Sequence, residues 1–362
     1  MPQQNIHLRS WLVGTKKARM ARTPASEPEV IAAARRGDRG AFDELVREHR
    51  SALHAHCYRL LGSVSDAEDA LQEALLGAWQ GLGGFEGRSS VRSWLYAIAT
   101  HAALRHAAKR PSRVVPLERF PAADPRANVG PSRSEILWLE PYPEPGYALV
   151  GAALEPTPEA RYSASESIEL AFVAALQHVS PNQRAVLLLR EVLGFSADET
   201  ARALETSTAS VNSALQRAHK TLAGKLPAVS QEQLRRDVGD PVFRDLVDRF
   251  VSAWQRADVD GIVVMLAEDA TFSMPPLAAW FSGRDAIRVF FEEQVFARRW
   301  RFVPSRANGQ PGLACYMWDE ASQSYPLSVI NVFTFRGGRV LEITAFLEPA
   351  WLAGSGLPAF AL

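Results

Sequence analysis

The stretch from Ser196 to Leu222, SADETARALETSTASVNSALQRAHKTL, leaves this chain few ways to fold locally: two short helix-period runs are separated by three residues, which is room for a tight turn and little else. Asp198 to Leu204 carries Thr200, Ala201 and Leu204 at helical spacing, Glu205-Thr206-Ser207 makes the turn, and Ser207 or Thr208 can cap the next helix through a side-chain oxygen. In that second helix Val211, Leu215, Ala218 and Leu222 fall on one face. Thr208, Ser210, Asn212, Ser213, Gln216, Arg217 and Lys220 are left to face outward, with short polar groups near the start and cations toward the end. That order suits base edges and phosphates in a DNA groove, and it suits an ordinary helical hairpin with a solvated face equally well.

A second segment separates the two readings. Asp66 to Lys109 runs from an acidic helix holding Asp69, Ala70, Gln72, Glu73 and Trp79, through a glycine-rich loop, to WLYAIAT and a basic tail. This order resembles region 2 of bacterial sigma-70-family factors of the extracytoplasmic-function group. SPNQRAVLLLREVLGFSADETARAL resembles their region 4. The resemblance covers Val30 to about Pro111 and Glu166 to about Leu226. It implies a chain that guides RNA polymerase to promoters rather than one that catalyses a reaction, with core polymerase (its β′ clamp and β flap) and promoter DNA as partners.

The resemblance assigns roles residue by residue. The acidic face of Asp66, Asp69 and Glu73, with Gln72 and Trp79, is expected to be exposed and to dock on the polymerase clamp, while Ala70, Leu71, Ala74 and Leu75 face inward. Opening a promoter requires holding single-stranded bases outside the duplex, which aromatic and cationic side chains do in general. Gly83, Gly84 and Gly87 permit a tight loop carrying Phe85, Arg88, Ser89 and Ser90, the expected pocket for a flipped base of the −10 element. Trp94, His101, Arg105 and Lys109 then form a stripe along the non-template strand. Many relatives have asparagine where this chain has His101, so the backbone-contacting role is the one carried over. In region 4, Asn212 and Gln216 are expected to contact adenine and Arg217 a phosphate or guanine of the −35 element. Many relatives flank the recognition-helix serine with lysine and arginine, whereas Asn212-Ser213-Ala214 stands here, so fewer phosphate contacts should follow.

Charge agrees in its distribution rather than its sum. Lysine plus arginine equals aspartate plus glutamate at 40 each, yet no acid occurs between Gly87 and Val114, where Arg88, Arg92, Arg105, Lys109, Arg110 and Arg113 lie. Cys57 and Cys315 are the only cysteines, which fits a reducing cytoplasm and excludes a disulfide framework. His49, His54 and His56 have no accompanying carboxylate or cysteine pattern and read as structural, so no metal site, catalytic residue or cofactor is expected. No apolar run approaches membrane-spanning length, so no membrane is expected and the protein is read as cytoplasmic.

Residues 1–27 read as a disordered basic arm, with Met20 an alternative start, and residues 28–112 as the region 2 domain. Ten of the 23 prolines lie between Pro111 and Pro158, so 113–165 reads as a linker. Its motif WLEPYPEP is unusually apolar, and Trp138 and Tyr142 are expected to dock on a neighbouring domain. Residues 166–227 form the region 4 domain.

After Leu226 helices give way to helix followed by strands. Val242 to Ala257 is amphipathic, GRDAIRVFFEEQV is a further helix, and Ser328 to Phe335 and Arg339 to Phe346 alternate as strands. Residues 240–350 resemble the SnoaL-like family, an α+β conical barrel around a pocket. The fold class is thus two all-α domains followed by an α+β domain. SnoaL-like folds host isomerases and cyclases as well as regulatory modules. All eight histidines lie at or before His219, leaving this domain without the usual acid–base partner. Asp269 is expected to be structural. Tyr316, Asp319, Tyr325 and Glu342 are the candidate pocket polar groups. Phe272, Trp280, Phe281, Phe291, Trp300, Tyr316, Trp318 and Phe346 either line a cavity for a small apolar ligand or pack as core. The leading reading is a sigma factor regulated by its third domain. The alternatives are a bifunctional protein with a C-terminal enzyme, and a duplex-binding repressor.

Overall fold

In the computed structural model, which describes residues 27–143 and 168–361, side-chain caps set where the first long helices begin. Helix α1 (Glu27–Arg35) is followed by α2 (Arg39–Leu61), α3 (Val64–Gly81) and α4 (Val91–Ala107). Asp38, Ser63 and Ser90 accept hydrogen bonds from the amides of Ala41, Asp66 and Ser93, each at 3.1 Å. Caps of this kind stabilise a helix by about 1 kcal/mol each. Helix α2 stops at Gly62, whose φ of 69° is the left-handed conformation that glycine adopts without strain. Inward on α3 lie Ala67, Ala70, Ala74 and Ala78, none more than 4 % exposed, and these small side chains let α2 and α4 close on it.

Four shorter helices complete this first unit: α5 (Leu170–Leu176), α6 (Pro181–Leu187), α7 (Ala197–Ala203) and α8 (Thr208–Leu222). Helix α6 starts on a proline, as Ser180-Pro181 suggests, and its last turn widens over Leu188–Val192. A capping box opens α7: the Ser196 amide donates to Glu199 Oε2 at 2.8 Å and the Glu199 amide to Ser196 Oγ at 3.1 Å. Those bonds hold the Glu199 carboxyl below its ordinary range. Of the two capping candidates for α8, Ser207 is the one used, accepting from the Ser210 amide at 3.1 Å. Val186, Ala201, Val211 and Ala214 form the small core of this helix-turn-helix.

The second unit comprises residues 113–143 and 229–361 of the described chain. Helices α9 (Gln231–Val238), α10 (Asp240–Gln255) and α11 (Val259–Met265) lead into β1 (Leu266–Ser273) and β2 (Trp280–Ser282). Helix α12 (Arg284–Phe290), β3 (Trp300–Ala307), β4 (Gln310–Met317), β5 (Leu327–Arg336), β6 (Arg339–Phe346) and α13 (Pro349–Ala353) follow. The six strands make one sheet in the order β2-β1-β6-β5-β4-β3, antiparallel except for the parallel pair β1 and β6. Trp254 of α10 is central to the core, with the rings of Phe250, Phe291, Phe296, Phe302 and Phe333 within 5.1–6.5 Å of its own. The α+β architecture expected from the sequence is present.

Residues 113–143 lie along this second unit. The Ala123 amide donates to Trp280 O at 2.8 Å, and Trp280 Nε1 returns a bond to Phe120 O at 2.8 Å. Gln294 Nε2 reaches Pro125 O at 2.8 Å. At the far end the Tyr142 amide donates to Asn308 Oδ1 and the Asn308 amide to Tyr142 O, both at 2.8 Å. Within the segment Arg113 and Glu140, each 6 % exposed, form a 2.9 Å ion pair. The arm over 1–27 lies, apart from Glu27, outside the described residues, as do Glu144 and Pro145 of the proline motif and linker residues 146–165.

Candidate promoter and polymerase interfaces

Helix α3 presents Asp69, Gln72 and Glu73 to solvent, as its periodicity predicts. Asp66 departs from the expectation: it is 5 % exposed, because it sits in the capped first turn and Arg110 folds over its carboxylate. Trp79 is half-buried, edge-on to Phe42 at 5.2 Å. Glu68 pairs with Arg50 at 3.4 Å, and Glu73 with Arg105 at 2.7 Å and His106 at 3.2 Å, so much of the negative charge on α3 is countered within the chain. Arg105 and His106 together hold the Glu73 carboxyl below its ordinary range, the hydrogen bond from Arg105 being the largest cause. Sequence reasoning missed Leu76, which is 57 % exposed in the middle of this face. The signal was its spacing of three and four from Glu73 and Gln72. An adjacent leucine pair hides which member points outward.

The glycine-rich loop brings only part of its expected pocket together. A single helical turn at Leu82–Gly84 folds Phe85 back on Trp94, ring centroids 5.0 Å apart, and leaves it 8 % exposed. Phe85 is therefore packing, not a presented base-stacking ring. Arg88 and Ser89 are exposed, with Arg88 paired to Glu86 at 3.1 Å. Along α4, Trp94 and His101 are half-buried and Arg105 and Lys109 exposed, so the predicted stripe exists as a surface feature. Leu95, Ala99 and Ala102 face inward beneath it.

Helix α8 brings its candidates together on one side. Ser210, Asn212, Ser213, Gln216, Arg217 and Lys220 are all exposed, and Thr208 is half-buried beside the cap. Val211, Ala214, Ala218 and Leu222 face the core at 0–9 % exposure. The geometry offers amide side chains near the middle and cations toward the end, the pattern for base edges flanked by phosphates.

In the second unit the chemistry is sparse. Asp269 is an exposed partner of Arg336, and Asp319 caps its own turn, accepting from Ser322 Oγ at 2.6 Å. Tyr325 lies under the Arg301 guanidinium at 4.5 Å and beside Trp318 at 5.0 Å. Glu342 stands in register with Thr271 and Thr334, and burial pushes its carboxyl up. These groups do not converge. Phe272, Phe281 and Phe291 pack as core, while Trp300 and Tyr316 border an open cleft of about 630 Å³ with Arg301, Pro358 and Phe360. Trp138 and Tyr142, 2–3 % exposed, lie against their own segment and against Asn308. Among the described residues no group of histidine, cysteine and carboxylate side chains is placed to hold a metal, and no helix is long and apolar enough to cross a membrane.

Comparison with known proteins fits this division. The chain matches the Sigma-70 region 2 family over residues 45–113, the Sigma-70 region 4 family over 169–222 and the SnoaL-like domain family over 247–343. The crystal structure of the Mycobacterium tuberculosis extracytoplasmic function sigma factor SigJ, 23 % identical, superposes with a TM-score of 0.56 over 86 % of this chain and 100 % of that one, and shares the fold. The ECF RNA polymerase sigma factor SigM of Mycobacterium tuberculosis is 31 % identical over 202 residues, 55 % of this chain and 83 % of that protein. SigG of the same organism, also an ECF RNA polymerase sigma factor, is 39 % identical over 326 residues, 88 % of this chain and 85 % of that protein. With both sigma regions in order and a relative matched along most of its length, this chain belongs to the extracytoplasmic-function group of RNA polymerase sigma factors.

Proposed function

We propose that the chain directs core RNA polymerase to promoters with the first unit and is regulated by the second. In this reading Asp69, Gln72, Leu76, Glu73 and Trp79 meet the polymerase clamp. Trp94, His101, Arg105 and Lys109, with Arg88 and Ser89 of the loop, track the melted −10 strand. Asn212 and Gln216 read bases of the −35 element, with Arg217 on a phosphate and Thr208, Ser210, Ser213 and Lys220 positioning the helix. The observation that carries it is the exposed row Asn212, Ser213, Gln216, Arg217 on a capped second helix, in a chain whose α4 separately presents an aromatic and cationic stripe. A duplex-only repressor has no use for that stripe or for the acidic face of α3.

The second unit works here as a regulatory module rather than an enzyme. Support comes from its lack of histidine, its scattered carboxylates and an interior filled by aromatic rings. A small apolar ligand would have to lie in the open cleft beside Tyr316 and Phe360 rather than inside the sheet. Segment 113–143 belongs functionally with this module, and the protein acts in the cytoplasm, where core polymerase is. The test is reconstitution of the full chain with core polymerase on genomic promoter fragments. Specific initiation that is lost on replacing Trp94 and Arg105 supports the reading. No initiation from any fragment, with no co-purification with polymerase, overturns it.

A further inference from the structure

Strand β3 of the second unit borders a cleft that the promoter contacts do not involve. Arg301 of β3 and Tyr316 of β4 stand directly opposite one another in the antiparallel register, so their side chains project side by side from one face of the sheet. Val303, two residues along β3, shares that face. Phe302 and its partner Cys315 point the other way, into the core around Trp254. The cleft runs from the Arg301 face around the β3 edge to Trp300 and Phe302, and is therefore distinct from the filled interior of the barrel.

A second wall comes from the stretch after α13. The Leu327 amide donates to Ala359 O at 2.8 Å and the Ala361 amide to Tyr325 O at 3.0 Å, which pins Pro358, Phe360 and Ala361 at the cleft. These residues lie beyond 247–343, the span matched to the SnoaL-like family, so membership of that family does not dictate this wall. Phe360 is 55 % exposed and Val303 42 %, so two large apolar side chains are left uncovered beside one space. Its volume of about 630 Å³ is that of a small-molecule site, for which about 300–1,000 Å³ is usual.

The polar groups at the cleft decide what it can hold. Tyr316 is 1 % exposed, yet its hydroxyl has no hydrogen-bond partner among the described residues. Burial raises its pKa, so at neutral pH it is a proton donor. Beside it the Arg301 guanidinium lies 4.5 Å over the Tyr325 ring, with Nη1 3.5 Å from Ala361 O, and these contacts keep the cation at the cleft. A buried donor next to a cation favours an anion, and a carboxylate can accept from both at once. Trp300, Val303, Pro358 and Phe360 around them favour an apolar body. Resting on the reading that a ligand of the second unit lies in this cleft, we propose that the cleft binds an aromatic carboxylate, with its anionic end between Arg301 and Tyr316 and its ring against Pro358 and Phe360. A neutral analogue of the same shape leaves the cation without an anionic partner and binds more weakly.

The experiment is isothermal titration calorimetry of the full chain with 2-naphthoate and with the neutral 2-naphthamide. The carboxylate should bind at a single site and about tenfold more tightly than the amide, the scale of one charge-assisted hydrogen bond. Arg301→Gln, at an exposed position, should remove that preference and leave amide binding within about twofold. Tyr316→Phe takes away only a hydroxyl that has no partner among the described residues, so it should leave the melting temperature unchanged and weaken carboxylate binding about fivefold. Phe360→Ala, also at an exposed position, should weaken both probes alike and covers the case in which the Tyr316 variant fails to fold. Absence of 2-naphthoate binding at millimolar concentration overturns the site, as does equal affinity for the two probes. Carboxylate binding that survives both Arg301→Gln and Phe360→Ala unchanged overturns it too. These outcomes leave promoter-directed initiation untouched, because the titration contains no polymerase. Conversion of bound 2-naphthoate to another compound would instead overturn the reading of the second unit as a module without enzymatic activity, and leave the site standing.

Discussion

Arg105 and Glu73 hold one another across the surface of region 2: Nε and Nη2 of the arginine both reach Oε1 of the glutamate, at 3.1 and 2.7 Å, while His106 Nε2 lies 3.2 Å from Oε2. In the proposed reading Arg105 meets the melted strand and Glu73 the polymerase clamp. They come from α4 and α3, which pack along each other, so the two surfaces meet at this pair. Both side chains are about half exposed, and such pairs contribute only about 0.2–1 kcal/mol.

Replacing Glu73 by glutamine should therefore have two opposite and modest effects. Core polymerase affinity falls, because an acid is lost from the docking face. Affinity of the free chain for a single-stranded −10 oligonucleotide rises by up to about fivefold, because Arg105 is released. Both are measured by fluorescence anisotropy at low and high salt, and the oligonucleotide gain should shrink as salt screens the pair. An unchanged oligonucleotide affinity at low salt would show that Arg105 is not restrained by Glu73.

On α8 the exposed row makes separable predictions. Arg217→Ala should weaken −35 binding almost uniformly across sequences and reduce the slope of log affinity against log salt by about 1. Asn212→Ala and Gln216→Ala should relax discrimination at one base pair each, by about 1–3 kcal/mol, with the salt slope unchanged. Competition binding against a panel of single-base promoter variants reads both. Uniform loss from Asn212→Ala would reassign it to the backbone.

Much of this architecture was legible because helix periodicity and capping signals sit in the chain itself. Ser207 announces α8, and Val211, Leu215, Ala218 and Leu222 orient the recognition helix without any tertiary information. What was not legible depends on contacts distant in sequence. Phe85 looks like a presented ring until the Leu82–Gly84 turn folds it onto Trp94. Asp66 looks like part of an exposed face until Arg110, 44 residues away, covers it. Nothing in the sequence around Arg184 marks it as buried; the approach of α6 to the end of α2 does that. Strands β3 and β4 gave no clear alternation: β3 is an arginine-rich edge with Pro304 in its middle, and β4 is buried along nearly its whole length.

The helical core should be acid-labile before its carboxylates titrate. His56 is fully buried on α2, and burial lowers its pKa to about 3. Its Nε2 lies 2.8 Å from Thr100 Oγ1, and because that hydroxyl donates to Tyr96 O at 2.6 Å, the ring must carry its proton on Nε2. His54 is lowered too, chiefly by burial. A histidine whose folded pKa lies below its unfolded value of 6.5 gives stability that is complete above pH 6.5 and lost as pH falls toward 3, by up to about 1.4 kcal/mol per pH unit. Urea unfolding between pH 7.5 and 4.5 should show this slope beginning near pH 6.5. His56→Leu should flatten it, whatever its effect on stability at pH 7.5. A slope that begins only near pH 4.5 would assign acid lability to the carboxylates.

Segment 113–143 offers a test of regulation by the second unit. Its ends are fixed by the Arg113–Glu140 pair and by the reciprocal bonds of Tyr142 with Asn308. Breaking a buried pair costs about 3–5 kcal/mol, and Arg113 keeps other contacts, among them a 2.8 Å bond to Trp138 O, so the lower end applies. Glu140→Ala should therefore lower the melting temperature of the second unit by roughly 10 °C and open Trp138 and Leu139, now 2 % and 1 % exposed, to limited proteolysis. Deleting everything after Leu226 removes Asn308, Trp280 and Gln294, against which the segment lies, so it frees the same residues by another route. If regulation by the second unit acts through this segment, both changes should shift transcription at limiting core polymerase in the same direction, with Glu140→Ala the smaller. Multi-round transcription at equal sigma concentration, across a titration of core, measures this. A deletion that shifts output while Glu140→Ala, shown by proteolysis to have released the segment, does not would place the regulatory contact elsewhere on the second unit. Superimposable curves for all three proteins would leave that unit without a regulatory role.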